Sequence, residues 1–165
     1  MWSNDEEIVG PDKIKACIPY ILPLLDGDFF GQYIYKSIPP LNTIDSILLK
    51  PLVETLQSFP FLSLILFALL SIGTRFSPQI SRNVRFNAQQ AVLIDMVILL
   101  PTIVQEGLVD VNDQIPILYQ QMGCNFVWYA YMSMIVYSVA VNLRGKKPDG
   151  LPYLSGLADT MTGPF

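Results

Sequence analysis

Long, mainly apolar stretches, set apart by connections that carry most of the charge, constrain this chain more than any other feature. Four such stretches occur, at about 12–36, 59–76, 84–104 and 124–143. A hydrocarbon core of roughly 30 Å takes about 20 apolar helical residues, so each stretch is a candidate span. Only 15% of the residues are charged and 52% are hydrophobic, against about 25% charged in soluble domains. The fold class read from this pattern is all-α: a polytopic membrane protein, a bundle of four transmembrane helices. Residues 1–11 form an acidic N-terminal segment, 12–143 the membrane domain, and 144–165 a polar, loosely ordered tail rich in Gly and Pro.

The stretches differ in quality. In the first, the apolar run from Ile14 to Leu25 rises only about 18 Å before Asp26-Gly27-Asp28 interrupts it. The span either ends there or breaks at Gly27 and resumes at Phe29; a helix break at Asp26, Gly27 and Asp28 is the expectation. Residues 37–57 contain Pro39, Pro40 and Pro51 and an amphipathic run, 44–56, with Asp45, Lys50 and Glu54 among leucines. Two readings stand for it: an interfacial segment lying on the membrane between the first and second spans, or an ordinary connector packed on the bundle. The second stretch can be capped by Ser58, with Pro60 in the first turn, and is closed by Arg75. The fourth carries Trp128, Tyr129, Tyr131 and Tyr137, which suit an interfacial belt.

Lysine and arginine positions set an orientation. With four spans, Lys13, Lys15, Arg75, Arg82, Arg85, Arg144, Lys146 and Lys147 share one side. The loop after the third span carries Glu106, Asp110 and Asp113 and no base. The positive-inside rule then places both termini in the cytoplasm-like compartment, with Arg75, Arg82 and Arg85 as anchors on that side. Cys17 and Cys124 fall near opposite faces, so no disulfide joins them. The acidic opening, residues 1–7, lacks the positive start of a signal peptide and the Arg- and Ser-rich character of a transit peptide. An organellar location therefore implies either a trimmed presequence or a gene in the organelle.

The chain has no histidine, which removes the usual catalytic base and the commonest metal ligand. Asp110-Val111-Asn112-Asp113 resembles the start of a calcium loop, but Ile115 stands where that loop needs glycine. There is no glycine-rich phosphate loop, and a net charge of −4 without a basic stripe excludes nucleic acid as a partner. No enzymatic activity and no cofactor are expected. What remains is the polar content of the third stretch. Asp95 lies near its midpoint, where an aspartate costs about 2.5–3.5 kcal/mol to insert, and no lysine or arginine lies deep in any stretch. It must be protonated, bonded to neutral groups such as Gln90 or Tyr137, exposed to a wet cavity, or paired with another subunit. A helical wheel places Asn87, Ala91, Asp95 and Thr102 on an inward face and Val92, Met96, Leu100 and Ile103 towards lipid. Asp95, Asn87 and Gln90 are thus candidates for a hydrated path or subunit contact, or else for helix–helix glue.

The run Val84-Arg85-Phe86-Asn87-Ala88-Gln89-Gln90-Ala91, followed by Leu93 and Asp95, resembles the small four-span, twenty-kilodalton-class subunit family of the TIC translocon. That family carries a similar V-R-F-N-x-x-Q-A-x-x-x-D stretch on its third span. Ala16-Cys17-Ile18-Pro19-Tyr20, Pro23-Leu24-Leu25-Asp26-Gly27, Ser58-Phe59-Pro60-Phe61 and Leu99-Leu100-Pro101 agree in order, so the resemblance covers about 13–108. It implies a subunit of the chloroplast inner-envelope membrane that helps preproteins reach the stroma, or a cyanobacterial plasma-membrane relative. The partners implied are other TIC membrane subunits, transiting preproteins, the lipid bilayer and further copies of the chain. Four short helices scarcely enclose a polypeptide-wide pore, so the chain is expected to supply one wall of a shared path. Two competing readings are a small ion or metabolite carrier using Asp95 as a midplane site, and a scaffold that never touches substrate.

Overall fold

The computed structural model describes residues 7–59, 61–107 and 115–163. Residues 1–6 of the acidic opening, Pro60, and the 110–113 run lie outside the described residues, as does the side chain of Glu106. Among the described residues the chain is helical, with no strand.

The first stretch is a chain of short pieces: α1 (Asp12–Lys15), a 3-10 turn (Ile18–Tyr20), α2 (Ile21–Asp26), a second 3-10 turn (Asp28–Gly31) and α3 (Gln32–Ser37). Pro19 and Pro23 withhold N–H donors that a continuous helix would use. Gly27 stands between α2 and the second 3-10 turn, where a β-carbon would lie 2.7 Å from the ring of Tyr131. The Tyr131 hydroxyl donates to the Gly27 carbonyl at 2.9 Å, so the glycine lets the fourth stretch approach this closely.

The connector comprises α4 (Pro39–Ile44), a π turn (Asp45–Leu49) and α5 (Lys50–Ser58). Leu49 packs with Leu25 and Tyr35, flanked by Leu41, Val53 and Leu56, while Ile44, Ile47, Leu48 and Leu52 stay exposed. One apolar face of the connector therefore lies on the first stretch and another points outward. Asp45 is buried, and its Oδ2 lies 3.6 Å from Lys50 Nζ.

The second stretch forms α6 (Leu62–Ala68) and a π turn (Leu69–Gly73), the third α7 (Arg82–Gly107), and the fourth α8 (Ile117–Leu143). Only two described helices, Arg82–Val104 and Ile117–Leu143, are individually long and apolar enough to cross a bilayer; a third is added if Pro39–Ser58 and Leu62–Gly73, bent by 95°, count as one span. The first stretch is divided at Gly27, where the break was expected, and also at Pro19, while the second stretch, expected to run unbroken, is shortened and carries a wide turn at Leu69–Gly73. α8 starts ahead of the expected 124, since Gln120, Gln121 and Gly123 lower hydropathy without stopping a helix.

α7 is the axis of the packing. The 3-10 turn at Ile18–Tyr20, α2, the π turn at Leu69–Gly73, α8 and the C-terminal α9 (Leu154–Met161) all pack against it. Residues 85–94 are buried without exception, so this half has no lipid face and Val92, expected to face lipid, is enclosed. In the other half Met96, Leu100 and Ile103 are exposed, as the helical wheel requires. The main core joins Tyr20 and Phe30 to Ala91, Ile94 and Ile98 of α7 and Tyr131 and Ile135 of α8.

The segment read as a loosely ordered tail is instead docked. Ala158 of α9 packs with Phe86 and Leu93 of α7. Asp159 pairs with Lys147 at 2.7 Å and with Arg82 at 3.7 Å, and Lys147 Nζ sits 4.3 Å from the Phe86 ring centre. Of the glycines and prolines that suggested looseness, only Gly156 lies within the helix; Gly145, Pro148, Gly150 and Pro152 belong to the approach.

Candidate functional site

The polar side chains of the third stretch divide into two groups with different surroundings. The first group is sealed. Asn87 and Gln90 are each 0% exposed. The Tyr20 hydroxyl lies 2.7 Å from Asn87 Oδ1 and 2.9 Å from Gln90 Oε1. Asn142 of α8 donates its amide to Asn87 Oδ1 at 2.7 Å. The Gln90 amide donates to the Pro148 carbonyl and to Ser155 Oγ, each at 3.0 Å. The Ser155 hydroxyl in turn donates to the Pro148 carbonyl at 3.1 Å. This network stitches the first stretch, α7, α8 and the C-terminal segment at one level. Buried amides require such partners, since an unpaired one costs about 1–3 kcal/mol.

Gln89, also fully buried, points elsewhere. Its amide nitrogen lies 2.9 Å from the Ser71 carbonyl, 3.2 Å from the Leu70 carbonyl and 3.2 Å from Thr74 Oγ1. The wide π turn displaces backbone carbonyls from regular helical bonding, and Gln89 supplies donors to them.

Asp95 belongs to the second group. It lines a cavity of about 440 Å³ together with Asp26, Ser63, Phe67, Met96 and Thr102. Asp26 and Asp95 are neighbours in this cavity, each carboxyl within reach of the other's field. Asp26 Oδ2 accepts from the Ser63 hydroxyl at 2.7 Å, and Thr102 Oγ1 donates to the Ile98 carbonyl at 2.9 Å. Gln90 and Tyr137, considered from sequence as neutral partners of Asp95, turn elsewhere: the Tyr137 hydroxyl accepts from the Gly150 N–H at 2.9 Å. The cavity walls are otherwise apolar, with Leu64, Ile98 and Leu99 among them.

The remaining candidates separate in space. Asp28, two residues from Asp26, faces the connector, with Asp45 and Tyr35 as its neighbours. Arg75 is exposed, 5.8 Å from the Phe76 ring centre, and Arg82 holds Asp159. Arg85 is 3% exposed, a burial at odds with the headgroup anchor expected of it. Sequence reasoning missed Ser63, Gln89, Tyr20, Asn142 and Ser155. Of these, Gln89 carried a signal, as a third amide in a run otherwise apolar.

The sequence model of the family described as Chloroplast import apparatus Tic20-like matches residues 12–158. Protein TIC 20-v, chloroplastic, of Arabidopsis thaliana is 30% identical over 107 residues, which are 63% of this chain and 49% of that protein. A Tic20 family protein of Synechocystis sp. is 34% identical over 89 residues, 54% of this chain and 55% of that protein. The chain therefore spans about half the length of these two relatives. The Tic20 family protein Ycf60 of Gracilaria tenuistipitata var. liui is 33% identical over 153 residues, 87% of this chain and 71% of that protein. No solved structure matches the chain.

Proposed function

The chain belongs to the Tic20-like family of the chloroplast import apparatus, and on that premise we propose that it is a non-enzymatic membrane subunit of the inner-envelope translocon. In this reading it supplies one wall of the path by which preproteins cross into the stroma. The observation that carries the proposal is the Asp26–Asp95 pair, which lines a cavity with apolar walls while the neighbouring amides are enclosed. Carboxyl groups at membrane depth are costly and persist where protein or water meets them. Here they meet each other and Ser63, at a cavity opening to the outside of this chain, where another subunit, a second copy or a passing polypeptide can complete the wall.

The topology proposed is multi-pass, with the broken first stretch and the short second stretch completing four crossings beside α7 and α8. Both termini then lie in the stroma, or in the cytoplasm of a cyanobacterial cell. Asp95→Leu is the direct test: import and complex yield should both fall, and unchanged values would end the proposal. Cross-links from an arrested precursor to residues lining the cavity separate a path wall from a scaffold. The same carboxyl pair is what a small-ion carrier would use, and saturable small-solute transport by the purified protein in liposomes would favour that reading.

A further inference from the structure

The cavity has one wall built differently from the others. Ser63, Leu64 and Phe67 of α6 face Asp95, Met96, Leu99 and Thr102 of α7 across it. α6 and its π continuation carry Ile65, Leu69 and Ile72 on an outward face that is more than half exposed, so no other described element backs them. Two polar ties join this wall to the bundle. At one end Ser63 donates to Asp26. At the other the Gln89 amide reaches Leu70, Ser71 and Thr74.

The second tie sits on the π turn, Leu69–Gly73. A π turn holds one residue more than the α-helix around it and recurs at functional sites. If the turn moves along the helix, each residue it passes is re-aimed by roughly 100°, one step of a 3.6-residue turn. Moved towards α6, it would swing Phe67 and Leu64 out of the wall. Gln89 opposes that movement, because its amide bonds the carbonyls where the turn now stands, and those carbonyls have no water to turn to in lipid. We propose that residues 62–75 form a lateral gate over the Asp26–Asp95 cavity and that Gln89 is its latch. Gln89 is thus a positioning residue for the path, and this inference rests on the path reading above.

The test reads the gate apart from import. Thr102→Cys, in a Cys17→Ser and Cys124→Ser background, reports water access to the cavity through its rate of modification by a small charged thiol reagent in proteoliposomes. Gln89→Leu should raise that rate by about 3- to 20-fold, the range between losing one and losing all three of its bonds between membrane helices. Thr74→Val, which removes one of the three acceptors, should raise it less, and serves alone if Gln89→Leu does not fold. Gln90→Leu is the control: it is an equally buried amide, but its bonds run to Tyr20, Pro148 and Ser155 and not to the gate, so the rate should not change. An unchanged rate in Gln89→Leu and Thr74→Val, or an equal rise in Gln90→Leu, overturns the proposal. Failure of the path reading would show differently, as normal import by Asp95→Leu with the latch behaviour intact.

Discussion

Replacing Gln90 with leucine keeps nearly the same volume and deletes an amide at the junction of three parts of the chain. The structure sets the size of the effect. Tyr20 keeps Asn87 at 2.7 Å, Ser155 Oγ still accepts from the Leu151 N–H at 3.1 Å, and the Pro148 carbonyl keeps the Ser155 hydroxyl. No partner is stranded, so the cost is that of three bonds and not of three orphaned groups. At about 0.6 kcal/mol per bond between membrane helices, the loss is about 2 kcal/mol. Two of the three bonds tie down the C-terminal segment, so the loss should appear there. Opening of residues 148–162 should rise by about 8-fold, the equivalent of the about 1.2 kcal/mol carried by those two bonds. Amide hydrogen exchange on the protein in lipid nanodiscs measures this directly. Faster exchange confined to 148–162 is the expected result. Unchanged exchange there, or equal loss of protection along α6, would refute the account of Gln90 as the strap of the C-terminal segment.

Gly27→Ala forces a methyl to 2.7 Å from the Tyr131 ring and should cost about 1–3 kcal/mol as overpacking, seen as a lower unfolding temperature in detergent. Lys50→Met leaves the buried Asp45 carboxyl without its neighbouring ammonium. Because the Lys50 side chain is 57% exposed, screening should hold the loss to about 1 kcal/mol, and Asp45→Asn in the same chain should restore the unfolding temperature. Asp159→Asn weakens both of its ion pairs at the surface of α9. It should destabilise by no more than about 1 kcal/mol, with a difference from the parent protein that shrinks as salt is raised.

The parts of the fold that could be read in advance are those a hydropathy pattern reports. α7 and α8 are long, apolar and undivided, and α7 even displayed its exposed half through Met96, Leu100 and Ile103. The divided stretches were harder, because Pro19, Pro23 and the wide turn at Leu69–Gly73 change the path of the backbone without changing its hydrophobicity. α9 was hidden because its docking depends on Phe86 and Leu93, far away in sequence, and its own composition is unremarkable. For the site, Asp95 stood out as a carboxyl in an apolar run, and so did Asp26. Their meeting was hidden because cations, neutral groups, water and another subunit were the expected partners of Asp95, and a second carboxyl was not among them. Matching every ionisable group at similar depth, whatever its sign, would have offered Asp26. Gln89 needed the structure, since its partners are backbone carbonyls released by a turn that the sequence does not announce.

The enclosure of residues 85–94 also bears on how the protein is made. The last cover over that half of α7 comes from residues translated after the fourth hydrophobic stretch has already emerged, and chains fold from their N-terminus during synthesis. Until then Gln90 lacks two of its three partners, so the newborn bundle passes through an interval with a half-satisfied amide at its centre. Docking of residues 148–162 is therefore a late closing event, and a chain cut before position 148 should remain an open intermediate, exposed to quality-control proteases.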